Sequence, residues 1–144
     1  MQIILSEKSF NQGKKYIEFL IQGNPLENNI IIGLSIKRNE YNLYINDPLN
    51  FWGFNLGECK KFSYNASNKY EYVKYGEATK KGDRIGILMQ WNTQNLLNVS
   101  YFINKINMGI AFKDLPMKKY HFAVAMKFNS TKIEILKNVG FPDI

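Results

Sequence analysis

Histidine and cysteine, which often carry catalysis or bind metals, occur once each in these 144 residues, as His121 and Cys59. One of each cannot supply the ligands of a zinc site built from cysteine and histidine. A catalytic Ser-His-Asp or Cys-His set would have to use His121, and no G-x-S-x-G nucleophile motif accompanies it. His121 stands in an apolar run, which favours an imidazole whose hydrogen bonds are made within the fold. We therefore expect no enzyme, no metal site and no cofactor.

The segment 37–50, KRNEYNLYINDPLN, contains residue types that could bind another molecule. It is the longest irregular stretch that the sequence predicts, and although polar it carries Tyr41, Leu43, Tyr44 and Ile45. Aromatic side chains on the loops of a rigid scaffold often supply binding energy. The same side chains could instead fold back over the edge of the domain, and the sequence leaves both interpretations open.

The chain is basic, with 19 Lys and Arg against 12 Asp and Glu, a net charge of +7. Such a charge fits a nucleic acid or an acidic partner. The basic residues are spread through the turns, however, and form no Lys/Arg block, which favours a solvated lysine-rich surface. Hydrophobic residues make up 45% of the chain and aromatic residues 15%, which predicts a single globular domain at this length.

The sequence also indicates in which cellular compartment the chain is expected. A lone cysteine, Cys59, cannot form an internal disulfide, which suits a reducing compartment. The chain does not open with the basic and apolar pattern of a signal peptide. No apolar run approaches the roughly 18 to 20 residues that a membrane helix needs. We expect no membrane association, and the chain could be a piece of a larger protein.

Residues 82–112 predict the centre of the fold. Apolar runs of about four to eight residues, bounded by Gly, Asn and Asp, indicate strands rather than helices. Because short turns join these runs, they must pair antiparallel, since parallel neighbours need a crossover of about a dozen residues. The predicted strands of this meander are Ile85–Met89, Val99–Ile103 and Met108–Phe112, with a turn at Asn104-Lys105.

Further strands are predicted on both sides of the meander, and no helix of any length is predicted. Many short strands separated by turn signals predict an all-β sandwich of two antiparallel sheets. Three consecutive isoleucines at 30–32 indicate a strand buried on both faces. The additional strands are Ile3–Leu5 as an edge strand, Lys15–Ile21, Ile30–Ile36 and Ile133–Leu136.

Three motifs of the meander, in order, resemble the SPRY (B30.2-type) domain. The family pattern has a Gly-Asp-x-Ile-Gly strand, a strand ending in an Asn-Gly hairpin, and Leu-Gly-Val-Ala-Phe. Here these are Gly82–Gly86, Tyr101–Lys105 and Met108–Phe112. Phe51–Gly57, Lys60–Asn65, Lys118–Met126 and Asn138–Pro142 resemble further family segments, so the resemblance covers roughly Gly13 to Pro142.

One departure from the family pattern concerns the hairpin turn. Lys105 stands where the family usually has Gly. A two-residue type I′ turn needs positive φ at both central positions, which favours Asn-Gly. We therefore expect either mild strain or a different turn type at this hairpin, within the same fold.

The resemblance implies a concanavalin-like sandwich of two curved sheets, one domain over residues 1–144, with 1–12 packing on it as a leading segment. It implies a non-catalytic module in which loops at one end of the sandwich hold a short peptide or a partner's surface. Such modules serve as the adaptor or substrate-recognition part of larger intracellular proteins, cytoplasmic or nuclear, such as ubiquitin-ligase adaptors or scaffolds. We expect the isolated domain to be a monomer.

By loop position, the resemblance places the binding residues in what we name the rim, residues 37–50 and 127–131. An arginine can grip a carboxylate with two hydrogen bonds, so an acidic peptide would suit Arg38. The predicted anchoring side chains are Arg38, Tyr41 and Tyr44, and the predicted polar partners are Asp47, Lys127 and Asn129.

Two alternatives of other classes stay open. A lectin-like sandwich has a similar strand pattern and would need an exposed aromatic platform, for which Trp52 and Trp91 are candidates. Trp52 nevertheless suits the core better than a binding surface. A nucleic-acid-binding domain would use the +7 charge and would lose affinity steeply with salt. Nucleic-acid binding is not favoured, because the basic residues are scattered.

Overall fold

The computed structural model describes residues 2–6, 8–25, 30–36, 51–64, 70–126, 133–136 and 140–142. Within these ranges, no helix has the length and hydrophobicity that crossing a bilayer requires. The described residues form eleven β-strands: β1 (Gln2–Leu5), β2 (Lys14–Ile21), β3 (Ile31–Ser35), β4 (Phe51–Asn55), β5 (Lys60–Tyr64), β6 (Tyr70–Lys74), β7 (Arg84–Trp91), β8 (Leu97–Ile103), β9 (Ile106–Leu115), β10 (His121–Met126) and β11 (Ile133–Leu136).

The strands make two antiparallel sheets, so the predicted all-β sandwich is confirmed. The first sheet has the order β1-β10-β3-β4-β5-β6, and the second has the order β11-β2-β7-β8-β9. The predicted meander is β7, β8 and β9, which are neighbours in the second sheet. The predicted edge strand is β1. Sequence analysis missed β6, because its residues YEYVK lie in a polar stretch with no apolar alternation.

The core lies between the two sheets and is built by the alternation of side chains along each strand. Ile17, Phe19 and Ile21 share one face of β2; Phe19 and Ile21 are buried in the core, and Ile17 is packed against it. Trp52 is also a core residue, 5% exposed. The inward face of the first sheet contributes Ile32, Leu34, Trp52 and Phe54, and that of the second contributes Ile85, Ile87, Met89, Val99 and Tyr101.

Strand β3 is buried on both faces, as its three isoleucines predict. Ile31 and Phe51 belong to a smaller apolar cluster that is separate from the main core. Gly33 permits β3 and β4 to approach closely, since a Cβ at this position would lie 1.9 Å from the backbone oxygen of Trp52. Any side chain at Gly33 would therefore push the two strands apart.

The hairpin between β8 and β9 keeps both central residues at positive φ, 51° at Asn104 and 71° at Lys105. The type of turn is therefore the one that Asn-Gly favours, with the strain carried by Lys105. The Lys105 Nζ lies 2.8 Å from Oε2 of Glu18, whose side chain is 1% exposed. This ion pair gives a reason for lysine at a position where glycine would be less strained.

Tyr16 completes the surroundings of this ion pair. Its hydroxyl donates to the same Glu18 oxygen at 2.6 Å, and the Lys105 ammonium lies 5.5 Å from the centre of its ring. Burial, followed by the hydrogen bond to Glu18 and the charge of that carboxylate, raises the pKa of Tyr16 well above its usual value. Tyr16 therefore stays a neutral donor, and Glu18 has two partners on one of its oxygens.

Replacing Lys105 with glycine tests whether the ion pair outweighs the backbone strain. The change should relieve about 1 kcal/mol of strain. It should also leave Glu18 buried without its cation, at a cost of about 3 kcal/mol. We expect a net loss of roughly 2 kcal/mol in the free energy of unfolding, measured by urea denaturation.

The matched control is the same substitution in a Glu18→Gln background. There the buried charge is gone, so Lys105→Gly should be neutral or should stabilise by about 1 kcal/mol. Equal effects in the two backgrounds would show that the ion pair contributes nothing to stability.

Candidate functional site

The predicted rim falls outside the part of the chain that the structure describes. Its assignment as a binding site therefore stays a prediction. The residues concerned are Arg38, Tyr41, Tyr44 and Asp47 within 37–50, and Lys127 and Asn129 within 127–132.

The described strands nevertheless show from which end of the first sheet each rim segment continues. β10 begins at His121, which lies opposite Ser35 at the end of β3. The end of β10 therefore lies beside the start of β3. Residues 37–50 follow the end of β3, whereas residues 127–131 follow the end of β10. The two parts of the rim thus leave this sheet at opposite ends, whereas the resemblance implied binding loops at one end of the sandwich.

Two side chains from the first sheet and the segment after it, those of Lys61 in β5 and Tyr75 just after β6, contact the edge of the second sheet. β9 is the edge strand of the second sheet. The Tyr75 hydroxyl donates to the Gly109 carbonyl at 2.6 Å, and the Lys61 ammonium donates to the Ala111 carbonyl, also at 2.6 Å. Because these carbonyls already have partners, this part of β9 is protected from pairing with a foreign strand.

A chain of hydrogen bonds through Tyr75 and Tyr101 connects this edge with the core. The backbone N–H of Tyr101 donates to the Tyr75 hydroxyl at 3.2 Å, and the Tyr101 hydroxyl donates to the Ile32 carbonyl at 2.9 Å. Burial raises the pKa of Tyr75 to about 12, although the hydrogen bond from Tyr101 opposes the rise. Burial also raises the pKa of Tyr101 well above 10.

An open groove of about 370 Å³ lies beside these contacts. One wall is the inward face of β5 and β6, where Ser63 lies opposite Glu71. The other wall is β9, and its register against β8 shifts at several points. Such irregularities bend a strand and redirect its side chains. We name this the inter-sheet groove; its lining includes Trp52, Lys61, Ser63, Glu71, Ile110, Lys113 and Leu115.

The groove exists because the first sheet extends beyond the second. Side chains on the inward face of β6 would be covered in sheets of equal width, yet Val73 is 46% exposed and Glu71 is exposed. Val73 lies opposite Lys61 on β5, so it belongs to the same face. Sequence analysis missed this groove because its two walls are about fifty positions apart in the chain. Lys61 at a core-facing position was the one available signal.

The two residues considered for catalysis, His121 and Cys59, lie within the framework of the fold. His121 is 7% exposed, and its Nδ1 lies 2.8 Å from the Ser6 carbonyl oxygen. Cys59 is a half-buried free thiol in the turn between β4 and β5, with φ at 55°. In the described ranges, no three His, Cys, Asp or Glu side chains are grouped so that they could hold a metal ion.

The two tryptophans proposed for a lectin-like platform are both buried. Trp52 is 5% exposed and Trp91 is 9% exposed, and both pack in the main core. Each also contacts the ring of Tyr120, with ring centres 5.5 Å and 6.5 Å apart. Neither presents a flat ring on which a sugar could stack.

Sequence comparison relates the chain to two curated proteins. No model of a known protein family matches it. The F-box/SPRY domain-containing proteins 1 of Drosophila mojavensis and Drosophila virilis are each 27% identical to it over 134 residues. The alignments cover 88% of this chain and 51% of each relative, so the chain spans about half the length of these relatives.

Structural comparison identifies the fold. The SPRY domain of human HERC1 superimposes with a TM-score of 0.72 at 14% identity, over 92% of this chain and 80% of that domain. A human SPRY domain gives 0.71 at 12%, over 96% and 86%, and the TRIM65 PSpry domain gives 0.65 at 12%, over 94% and 71%. The chain therefore has the SPRY fold. The resemblance drawn from its motifs is confirmed.

The buried tyrosines predict a loss of stability at high pH. An unfolded tyrosine loses its proton near pH 10, whereas Tyr75 keeps its proton until about pH 12. Its contribution is therefore complete below pH 10 and is lost as the pH rises through 12. Tyr75→Phe should reduce the slope of unfolding free energy against pH by about 1.4 kcal/mol per unit in this window.

Urea unfolding of both proteins at a series of pH values measures this slope. The substitution also removes the hydrogen bond to Gly109, so absolute stability should fall at every pH. The informative quantity is the difference in slope. Parallel curves for the two proteins would show that Tyr75 titrates normally.

Proposed function

We propose that this chain is a non-catalytic protein-interaction module that holds a short peptide or a partner's surface. The observation that carries the proposal is the SPRY fold, matched over 92% of the chain at a TM-score of 0.72. The names of the curated relatives join this domain to an F-box. We infer that the chain likewise acts as the substrate-recognition or adaptor part of a larger intracellular protein, cytoplasmic or nuclear.

The physical character of the domain supports this role. Two sheets joined by a buried core and by inter-sheet hydrogen bonds make a rigid body. A rigid body loses little conformational entropy when a partner binds. Binding then depends on a few anchoring side chains at the surface rather than on rearrangement of the domain.

The proposed contact residues are those of the rim. Arg38 would pair with a carboxylate through two hydrogen bonds, and Tyr41 and Tyr44 would supply apolar contact area. The net charge of +7 supports an acidic partner. Further polar contacts would come from Asp47, Lys127 and Asn129.

The double substitution Tyr41→Ala, Tyr44→Ala tests the rim. We expect it to abolish the binding of peptides that the wild-type domain selects from a peptide array, because two anchoring side chains are lost. The melting temperature should stay within a few degrees of the wild-type value. Binding and thermal unfolding measured on the same preparations check both expectations.

Ile106→Ala is the matched control, since it removes exposed apolar surface elsewhere; Ile106 is 64% exposed at the hairpin. It should leave peptide binding unchanged. A large loss of stability in the double variant would place the tyrosines in the core, and equal binding by all three proteins would place the binding site outside the rim.

A further inference from the structure

We propose that the inter-sheet groove is a second docking site, and that its partner is a protein segment with an acidic residue beside an apolar one. This inference rests on the proposed interaction function and adds a surface that the predicted rim does not include. It places recognition on the side of the sandwich, between β9 and the overhanging β5 and β6.

The first argument is a cation without a counter-charge. Lys61 is half-buried, and its ammonium donates to the Ala111 carbonyl and lies 5.7 Å and 6.0 Å from the ring centres of Tyr75 and Phe112, all of them uncharged groups. Within the described ranges, Lys61 makes no ion pair with any carboxylate. An ammonium that has lost part of its hydration is costly unless it is paired. A carboxylate entering the groove would offset this cost.

The charge around Lys61 favours an acidic ligand. Lys113 on the opposite wall is exposed and likewise makes no ion pair in the described part of the chain. The groove contains one carboxylate, that of Glu71, against these two ammonium groups. Its net charge is therefore positive, in a chain whose total charge is +7. Charge complementarity of this kind selects partners and speeds their association.

The second argument is apolar surface next to these charges. Leu115 is half-buried on the β9 wall. Ile110, whose register partner Ser100 lies on the outward face of the second sheet, is 52% exposed at the edge of the groove. Val73 adds exposed apolar surface on the facing strand β6. An aliphatic or aromatic side chain of the partner could bury this surface, while the Ser63 hydroxyl offers a further hydrogen-bonding group.

The hydrogen-bonded carbonyls of β9, at Gly109 and Ala111, determine how a partner segment would be held in the groove. Because Gly109 and Ala111 already accept hydrogen bonds from Tyr75 and Lys61, a partner cannot pair with β9 there as an added strand. Recognition must then come from side chains. In an extended segment, side chains two positions apart lie on one face, which would place a carboxylate and an apolar group in the groove together.

The test uses the whole chain, labelled with nitrogen-15, and two pools of short synthetic peptides. In the first pool, Asp or Glu stands two positions from Leu, Ile or Phe; in the second pool, Lys replaces the acidic residue. We expect the acidic pool to shift the amide resonances of residues 61, 63, 71 and 110–115 and the lysine pool to leave them unchanged. Lys113→Glu should weaken the binding of the acidic peptides by about ten-fold or more.

Lys81→Glu is the matched control, because it makes the same charge change at an exposed turn before β7. It should alter affinity by less than about two-fold. Lys113 is exposed and makes no ion pair in the described structure, so both variants should remain folded. Amide spectra of the unbound variants confirm this before titration.

Three other outcomes would each overturn the groove proposal, and the observed shifts distinguish them. Shifts confined to residues 36 and 51, beside the rim, with Lys113→Glu binding normally, would reject the groove and leave the interaction function standing. Groove shifts that grow with protein concentration in the absence of peptide would assign it to a second copy of this chain. No binding of the acidic pool by the folded protein would reject the groove, while selection of other peptides by the array would keep the interaction function.

Discussion

The separation of the two sheets depends on Tyr101. Its side chain is completely buried, and its hydroxyl donates across the core to the Ile32 carbonyl. Its ring contacts Phe54 of the opposite sheet edge-on, with centres 5.1 Å apart. Sheets in a sandwich pack about 10 Å apart, a gap that a tyrosine can span. A side chain anchored in one sheet and hydrogen-bonded to the other fixes that gap and the relative position of the sheets.

The edge contacts and the groove follow from this arrangement. With the sheets held in place by Tyr101, the narrower second sheet ends at β9, beneath the wider first sheet. Tyr75 and Lys61 then reach the carbonyls of the exposed edge. The side chains that close the sandwich on this flank are thus the same ones that leave a charged, partly apolar groove beside it.

Much of the fold could be predicted from the sequence, because its signals are local. Apolar alternation and turn residues predicted β7 to β9, and three isoleucines predicted a strand buried on both faces. Although Lys105 replaces the usual glycine, the hairpin keeps the turn type that Asn-Gly favours, since φ is positive at both central residues. The compensation by Glu18 could not be predicted, because it depends on the register that brings β2 and the hairpin together.

The candidate sites were less predictable for two different reasons. β6 was missed because an edge strand needs no apolar alternation, and its inward side chains Glu71 and Val73 remain exposed. The groove requires contacts such as that of Lys61 with Ala111, fifty positions apart in the chain, for which the sequence contains no local pattern. The rim was assigned by loop position alone, and its residues lie outside the described ranges.

The antiparallel pairing of β3 with β10 also sets the distance between the two points at which the rim segments leave the first sheet. Ile36 follows one end of β3, and Met126 lies beside Ile30 at the other, six positions away along the strand. At roughly 3.3 Å per residue, this distance is about 20 Å. A linear epitope that contacted the domain at both points would need roughly six residues in extended form. If the rim binds a partner as proposed, a single residue of that partner would be too short to contact both segments, whereas an extended peptide could reach both.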